Sequence, residues 1–318
     1  MSFLLGAFEM DITPKLPVQL AGFAHRNGKA SEIHSPLNLK TFYFEQDGSA
    51  AVLLIGDVIW WDTMKVRQWK NLIHSKFGIR QEAICFHATH NHSGPQTSPI
   101  FTSMLGSCDH QYLDSLEDKI IKSIGMAIDN KEAVTISRRK TDSHIGVNRR
   151  KLEDGKIVMK PNVDAQVDRD LTVLSFEKEN GEPKTVLIHF SCHPTSTDAN
   201  VVSSEYPGTC CSIIQQSYPG AVVGFMQGCC GDIRPDLVED DRFFRGKLED
   251  MEKVGKQLAD DVLKLMAADR GEEVGTGGLS AEVTSVSLPF QTPYSVNEKI
   301  NVSPETLNIW NEHVNKNR

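Results

Sequence analysis

Apolar and polar positions along this chain follow two alternating periods, which predict a series of strands and helices. A near-continuous apolar run, AVLLIGDVIWW over 51–61, predicts a strand that is buried on both faces. Apolar residues at helical spacing then predict a helix over 63–77, with Asp62 as its N-cap and Gly78 as its stop. The segment EAICFHATH over 82–90 predicts the next strand, so we expect a strand–helix–strand unit.

The same alternation continues through the rest of the chain. Asp109 is placed to cap a helix that runs to about Asn130 and carries one apolar stripe. Asn180-Gly181 predicts a tight turn between two strands. The pattern further predicts strands over 171–177, 184–192, 221–228 and 279–290, a long amphipathic helix over 250–268, and a short helical segment from Pro304.

Strands that alternate with helices, together with one hairpin, predict an α/β fold with a mixed β-sheet core flanked by helices. A chain of 318 residues is long enough to bury a sizeable core in a single large domain. We expect the main domain to span residues 1–270. A C-terminal strand and helix over 271–318 would form the end of that domain.

Composition narrows the class of partner. The net charge is −8 and no Lys/Arg-rich run occurs, so we expect no nucleic-acid binding. No segment reaches the ~18 to 20 apolar residues of a membrane span, and the N-terminus does not resemble a signal peptide. Seven cysteines without a CxxC motif predict free thiols in a reducing compartment. These features predict a cytoplasmic protein; its oligomeric state stays open.

The segment ATHNHSGP contains the first candidate metal ligands. In a strand, His90 and His92 would share a face with their Cα atoms about 6.5 Å apart. Neutral imidazoles of this kind suit Zn²⁺. Ser93-Gly94-Pro95 would end the strand and leave the pair at the rim of the sheet, where α/β proteins tend to place their sites. The alternative is a structural pair of hydrogen-bonded histidines.

A second candidate lies in HFSCHPTSTD. His189 and His193 alternate onto one face of the predicted strand, and His193 stands at its end, where a ligand is expected. We therefore favour His193 as a ligand and His189 as a packing residue. His87 falls on the opposite face from His90 and is expected to be structural.

The segment MQGCCGDIRPD predicts a strand that enters a glycine-rich turn. Asp232 or Asp236 is a candidate partner for a metal ligand, with a plain turn as the alternative. Cys229 and Cys230 are expected to be buried thiols, because lone neighbouring cysteines usually are. Asp57 is either a turn residue or a site carboxylate.

Other metal folds that contain HxH fit less well. Metallo-β-lactamase-like hydrolases continue HxH with Asp-His, whereas this chain continues with Ser-Gly. Amidohydrolase barrels carry HxH on their first strand, and here a strand and a helix precede it without an eightfold alternation afterwards.

At these motifs the sequence resembles the neutral/alkaline non-lysosomal ceramidase family, in its N-terminal catalytic region. The likeness runs from about Gly6 to Leu237. It is carried by GAFEMDITP, LAGF, THNHSGP, GVNRR followed by VDRDLTVLSF, HPTS, SSEYPG and QGCCGDIRPD.

This resemblance implies a zinc-dependent hydrolase of amide C–N bonds that acts on a small-molecule or lipid amide such as ceramide. It implies that His90 and His193 bind Zn²⁺, that His92 is a catalytic histidine, and that Arg149 lies near the substrate. The family's serine in GDxSP is Arg234 here, so the resemblance leaves metal-bound water as the nucleophile.

The family completes its metal shell with a later glutamate and tyrosine, for which Glu282 and Tyr294 are candidates by residue type only. The typical members are secreted and carry a C-terminal β-sandwich, neither of which this chain shows. Two other hypotheses therefore stay open. The chain is a catalytically incomplete member that acts as a binding module, or it is a metal hydrolase for another small substrate.

Overall fold

The structure is a computed structural model that describes residues 2–101, 105–268, 270–275 and 277–287. Its helices are α1 (Thr63–Phe77), α2 (His110–Asp129), α3 (Glu205–Ser217) and α4 (Leu248–Ala268). Its strands are β1 (Leu4–Asp11), β2 (Asn38–Gln46), β3 (Ser49–Gly56), β4 (Ile84–Ala88), β5 (Glu132–Ala133), β6 (Thr135–Asp142), β7 (Gly146–Glu153), β8 (Lys156–Asn162), β9 (Asp170–Glu177), β10 (Pro183–Phe190), β11 (Val222–Gln227), β12 (Ile233–Pro235), β13 (Val238–Glu239), β14 (Arg242–Phe243) and β15 (Glu272–Glu273).

Two five-stranded mixed sheets form the centre of the fold. The first has the strand order β4-β3-β2-β1-β5, and the second has the order β11-β10-β9-β6-β15. Each contains one parallel pair, β3 with β4 and β10 with β11, and each pair is connected by a helix, α1 or α3. The predicted α/β class with a mixed sheet in a single domain is confirmed, although the strands divide between two sheets instead of one.

The two sheets pack face to face, with helices on their outer faces. Residues of α1 and α2 share one apolar cluster with the first sheet, and residues of α3 and α4 share another with the second. A third cluster contains Phe42 and Ile55 from the first sheet, Phe176 and Leu187 from the second, and no helical residue. Because side chains alternate along each strand, one face of each sheet meets its helices and the other face meets the opposite sheet.

Two smaller pieces lie beside this core. The strands β12, β7 and β8 form a three-stranded antiparallel sheet, and β13 pairs with β14. The pairing of β12 with β7 joins the glycine-rich turn after β11 to the GVNRR segment. Residues far apart in sequence therefore meet in this small sheet.

The helix predictions that rest on end signals are confirmed. Asp62 accepts a hydrogen bond from the amide of Lys65 at the start of α1, and Gly78 ends that helix with φ +71°. Asp109 caps α2 through the amide of Tyr112. In each case a side-chain oxygen satisfies an amide that the first turn leaves without a partner.

The expected hairpin is also confirmed, since β9 and β10 are antiparallel around a turn in which Gly181 has φ +82°. The predicted strand over 279–290 does not form in residues 279–287, where Val283 and Val286 are exposed and no neighbouring strand pairs with them. Residues 288–290 and the helical segment from Pro304 lie outside the described residues. The division of the chain at residue 270 stays a prediction.

None of the helices among the described residues is both long and apolar enough to cross a lipid bilayer.

Candidate metal centre

Three histidines meet where strands of both sheets end. His90 and His92 follow β4, and His193 follows β10. The two sheets are tied together here by His87, whose Nε2 accepts a hydrogen bond of 2.8 Å from the amide of Gln227, the last residue of β11. The carboxyl ends of parallel strands are where α/β proteins commonly build their sites. His87 thus has the structural role expected of it.

Main-chain carbonyls orient the three imidazole rings. Nδ1 of His90 lies 2.9 Å from the carbonyl oxygen of Ile59, and Nδ1 of His193 lies 3.1 Å from that of Cys230. Nδ1 of His92 lies 3.2 Å from the carbonyl oxygen of Gly22. A carbonyl only accepts, so each Nδ1 carries the hydrogen and donates it. The Nε2 atom of each neutral ring is therefore left as a lone pair.

These lone pairs converge. Nε2 of His90 lies 3.1 Å from Nε2 of His193 and 3.4 Å from Nε2 of His92. Two unprotonated nitrogens cannot hydrogen-bond to each other, and their close approach is the arrangement of ligands that share a cation. Histidine ligands in proteins usually have their second nitrogen held in this way. The donor set therefore fits a metal ion.

The surroundings favour the neutral imidazoles that metal binding requires. Burial, with the nearby charge of Arg149 as the next cause, lowers the pKa of His193 to about 3. Burial also lowers the pKa of His90, and it lowers that of His92 well below the usual value. Burial penalises the charged form, so these rings keep their lone pairs at neutral pH.

Cys230 belongs to the same group, although sequence reasoning did not favour it as a ligand. The ligand atoms of His90, His193 and Cys230 all lie within 4.8 Å of one another, so this group can hold a metal ion. Thiolate and imidazole are both common ligands of Zn²⁺. The signal in the sequence was the position of Cys230 in the turn three residues after the end of β11. Cys230 is buried as expected, whereas the expectation of a buried thiol at Cys229 is wrong, because that side chain points out of the turn and is exposed.

The loop that carries His90 and His92 is not a strand, which corrects the expected alternation. The strand β4 ends at Ala88, and His90 adopts a left-handed conformation with φ +62°. The fully buried Asn91 between them donates to the carbonyls of Asp57 (3.2 Å) and Ser203 (2.8 Å) and accepts from the amide of Ser93 (2.8 Å). The two rings converge because of this turn. Strand periodicity does not bring them together.

The expected strand position of His193 is likewise wrong, because β10 ends three residues earlier at Phe190. Buried Glu205 supports the turn that follows His193. One oxygen of its carboxylate accepts hydrogen bonds from the amides of Ser196 (2.7 Å) and Thr197 (3.1 Å), and the other accepts from the amide of Tyr206 (2.8 Å). Glu205 itself has φ +57° at the start of α3.

The LAGF segment covers His92. The ring of Phe23 lies 5.2 Å from that of His92 in an edge arrangement. Arg26 donates to the carbonyls of Ala21 (3.0 Å) and His92 (2.7 Å), and its guanidinium lies over the Phe23 ring. This contact network fixes the segment against the histidine loop and shields His92 from water.

Arg149 reaches the site from β7. Its Nε and Nη2 donate to the carbonyl of Gly231 at 3.0 and 2.9 Å, next to the residue whose carbonyl holds His193. Its main-chain amide donates to the carbonyl of Asp232. The carboxylate of Asp232 lies 3.3 Å from the side-chain amide of Asn148, and Asp57 binds the amide of Asn38, so neither carboxylate joins the histidine cluster.

A groove of about 800 Å³ opens beside the histidines. His90 and Cys230 line it together with the aromatic side chains of Trp60, Trp61 and Phe86. Glu282, a candidate ligand by residue type, lines the same groove, whereas Tyr294 lies outside the described residues.

Comparison with known proteins places these features in a family. The model of the family described as neutral/alkaline non-lysosomal ceramidase, N-terminal, matches residues 3–247, and the chain belongs to this family. No curated protein sequence matches the chain.

Two solved structures share the fold. One is titled a ceramidase complexed with C2, with 21% sequence identity, a TM-score of 0.75, and coverage of 86% of this chain and 45% of that one. The other is a neutral ceramidase from Pseudomonas aeruginosa, with 19% identity, a TM-score of 0.74, and coverage of 86% and 46%. The chain thus spans less than half the length of these two proteins.

Proposed function

We propose that this chain is a zinc-dependent hydrolase that cleaves the N-acyl amide bond of a ceramide-like lipid amide. The observation that carries this proposal is the convergence of the unprotonated Nε2 atoms of His90 and His193, which lie 3.1 Å apart. Membership of the ceramidase family and the aromatic groove beside the histidines support an acyl-bearing substrate.

His90 and His193 would hold the metal, with Cys230 as the further protein donor in the same group. When bound, Zn²⁺ supplies Lewis-acid chemistry, because it lowers the pKa of water to about 7 and polarises a carbonyl. Three protein ligands are the usual number in a catalytic zinc site. The His/His/Cys group meets that number without a residue from beyond the described part of the chain.

The chain's own groups handle the proton and the developing charge. Nδ1 of His92 donates its hydrogen to the carbonyl of Gly22, so Nε2 of the same ring is free to take a proton and return it to the departing amine. Arg149 uses Nε and one hydrogen of Nη2 on Gly231, and its remaining N–H groups can face a carbonyl oxygen that gains negative charge.

The test measures metal content and amide cleavage in the same preparations. Purified protein should contain zinc at about one ion per chain by elemental analysis, and it should release fatty acid from a short-chain ceramide. His90→Ala should abolish both, whereas His110→Ala, a change at the exposed start of α2, should alter neither. A folded, metal-free wild-type protein that cleaves no amide after zinc is supplied would refute the proposal.

We also propose a reducing, cytoplasmic location, because all seven cysteines are free thiols in the structure. Thiol labelling of protein extracted under acid quenching should count seven reactive groups after denaturation. A lower count, restored by reductant, would contradict this location.

A further inference from the structure

Two arginines come from neighbouring strands of the small sheet beside the histidines. Arg234 on β12 pairs with Val147 on β7, and Arg149 lies two residues further along β7, where the pairing of β7 with β8 shifts register. A diagonal pair across two strands lies about 7 to 8 Å apart at the Cα atoms. The side chains of Arg149 and Arg150 both donate to the carbonyl of Gly231 in the turn before β12, so the guanidinium of Arg149 is held at the segment that leads into the strand of Arg234.

Arg234 is anchored to the segment that carries His193, and Arg149 is anchored to the turn whose carbonyl orients the His193 ring. Nη2 of Arg234 donates to the carbonyl of Thr195 at 3.2 Å, two residues after that histidine. Arg149 donates to Gly231, which follows the residue that orients the His193 ring. The positive charge of Arg149 also acts on His90 and His193, where it is one of the causes of their lowered pKa values. The pair thus borders the candidate metal centre.

Neither arginine has a carboxylate partner within 4.0 Å among the described residues, unlike Arg138 and Arg245, which pair with Glu272 and Asp198. Nε of Arg234 is buried, and no described residue forms a hydrogen bond with it. The guanidinium of Arg234 is held over the ring of Phe243, 4.5 Å from its centroid. A partly buried cation normally has a paired anion, so this one is prepared for a group from outside the chain.

The nearest buried carboxylate does not neutralise the pair. The charge of Glu205 acts to raise the pKa of Arg234, but both carboxylate oxygens of Glu205 already accept hydrogen bonds from main-chain amides. Burial, with Arg149 as the next cause, lowers the pKa of Arg234, as expected where two cations lie close together. Positive charge therefore accumulates at this edge of a chain whose net charge is −8.

We propose that Arg234 and Arg149 bind an anionic group of the substrate, so that the preferred substrate is an acylated amine with a carboxylate or phosphate next to its scissile bond. This inference rests on the proposed function, and it adds a preference among lipid amides for those that carry an anionic group. Guanidinium groups bind carboxylate and phosphate through two parallel hydrogen bonds, a geometry that an alcohol cannot match.

Binding to the chelator-treated 318-residue chain tests the proposal without catalysis. Calorimetry would compare N-lauroylglycine, N-lauroyl-phosphoethanolamine and the neutral N-lauroylethanolamine. We expect at least one anionic compound to bind about tenfold or more tightly than the neutral one, and the tighter of the two identifies carboxylate or phosphate. Equal binding of all three, or binding of none, would overturn the proposal.

The variant Arg234→Gln should remove most of this preference while leaving the affinity for N-lauroylethanolamine unchanged. Arg242→Gln, the same change at an exposed position on β14, is the matched control and should keep the preference. A preference that survives in a folded Arg234→Gln would contradict the assignment.

Ionic strength gives a test that needs no variant. Raising NaCl from about 0.05 M to about 0.5 M should weaken the binding of the anionic ligands and not that of the neutral one, because salt screens charge attraction. Anion binding that does not respond to salt would also overturn the proposal. Failure of the zinc-loaded protein to cleave any amide would refute the proposed function and leave these binding results standing.

Discussion

The side-chain amide of Asn91 donates a hydrogen bond of 2.8 Å to the main-chain carbonyl of Ser203, a residue 112 positions away that lies just before helix α3. This bond ties the loop of the first sheet that carries two histidines to the segment that enters a helix of the second sheet. Asn91 also holds its own loop through Asp57 and Ser93.

We expect Asn91→Ala to cost about 2 to 3 kcal/mol of unfolding free energy, because the substitution leaves buried main-chain groups without partners. Zinc affinity should fall as well, since His90 and His92 flank the residue. Urea denaturation of the metal-free protein and a competition titration with a zinc indicator would measure the two effects.

The control is Asn71→Ala on helix α1, where the side chain makes one exposed hydrogen bond with Gln81. It should stay within about 0.5 kcal/mol of wild type. If both variants unfold at the same urea concentration, Asn91 does not organise the loop.

Serine substitutions of the two adjacent cysteines test whether Cys230 is the third metal donor. Cys230→Ser should weaken zinc binding by more than about 10- to 100-fold, the loss typical of an outer-shell partner, because the substitution removes a direct thiolate donor. Cys229→Ser removes an exposed thiol from the next position and should leave zinc affinity unchanged. Substituting cobalt for zinc gives a second measurement, because a thiolate–cobalt charge-transfer band should be present in wild type and in Cys229→Ser only. Equal affinities in the two variants would point to His92 as the third donor instead.

Alanine variants of two glycines with positive φ distinguish the effect of backbone strain from the effect of displacing the His92 ring. Gly22 has φ +103°, and a Cβ atom there would clash with Nδ1 of His92. Gly28 has φ +77°, and the nearest atom to its Cβ would be 4.0 Å away. Alanine at either position should cost about 1 to 2 kcal/mol of stability, because both backbones are left-handed. Only Gly22→Ala should displace the His92 ring and lower kcat.

Amide cleavage and thermal unfolding of both variants would check this prediction. Comparable losses of kcat in Gly22→Ala and Gly28→Ala would mean that the position of the His92 ring does not matter for the reaction.

Glu205 gives a prediction about pH. Burial raises the pKa of this carboxyl, with the main-chain amides that bind it acting in the opposite direction. The folded protein then holds the proton more tightly than the unfolded chain, so the contribution of Glu205 to stability falls as pH rises above the unfolded pKa of about 4.3. The unfolding free energy of wild type minus that of Glu205→Gln should therefore decrease with rising pH from that value up to the folded pKa.

Denaturant unfolding at a series of pH values would measure the difference. Glu179→Gln, the same change at an exposed position in the turn between β9 and β10, serves as the matched control. A difference that grows with pH would show that the three amides outweigh burial.

The sequence was sufficient where the determinants are local. Helix α1 begins after Asp62 and ends before Gly78 as predicted, because an N-cap and a left-handed C-cap each act within one turn of the helix. Helix α3 was not predicted, because its sequence EYPGTCCSIIQQS combines Pro, Gly and Ser with a weak apolar stripe. Its formation depends on packing against α4 and the second sheet.

The sequence predicted part of the site, but it attributed the approach of the histidines to strand alternation, whereas the structure brings them together through turns. His90 and His193 do lie together, as their positions after strands indicated. The left-handed turn at His90 was not predictable, because it depends on hydrogen bonds from Asn91 to distant carbonyls. The approach of Cys230 likewise depends on the parallel pairing of β10 with β11, which local sequence does not encode.

The face-to-face sheets contribute one histidine each to the group that can hold a metal ion, which would give a bound cation a second role. An ion bonded to His90 and His193 would cross-link the two halves of the core, and only the joined state would bind it tightly. Its binding free energy would then add to the stability of the folded chain in proportion to the logarithm of the free metal concentration. Metal supply would in this way govern the lifetime of the protein together with its activity.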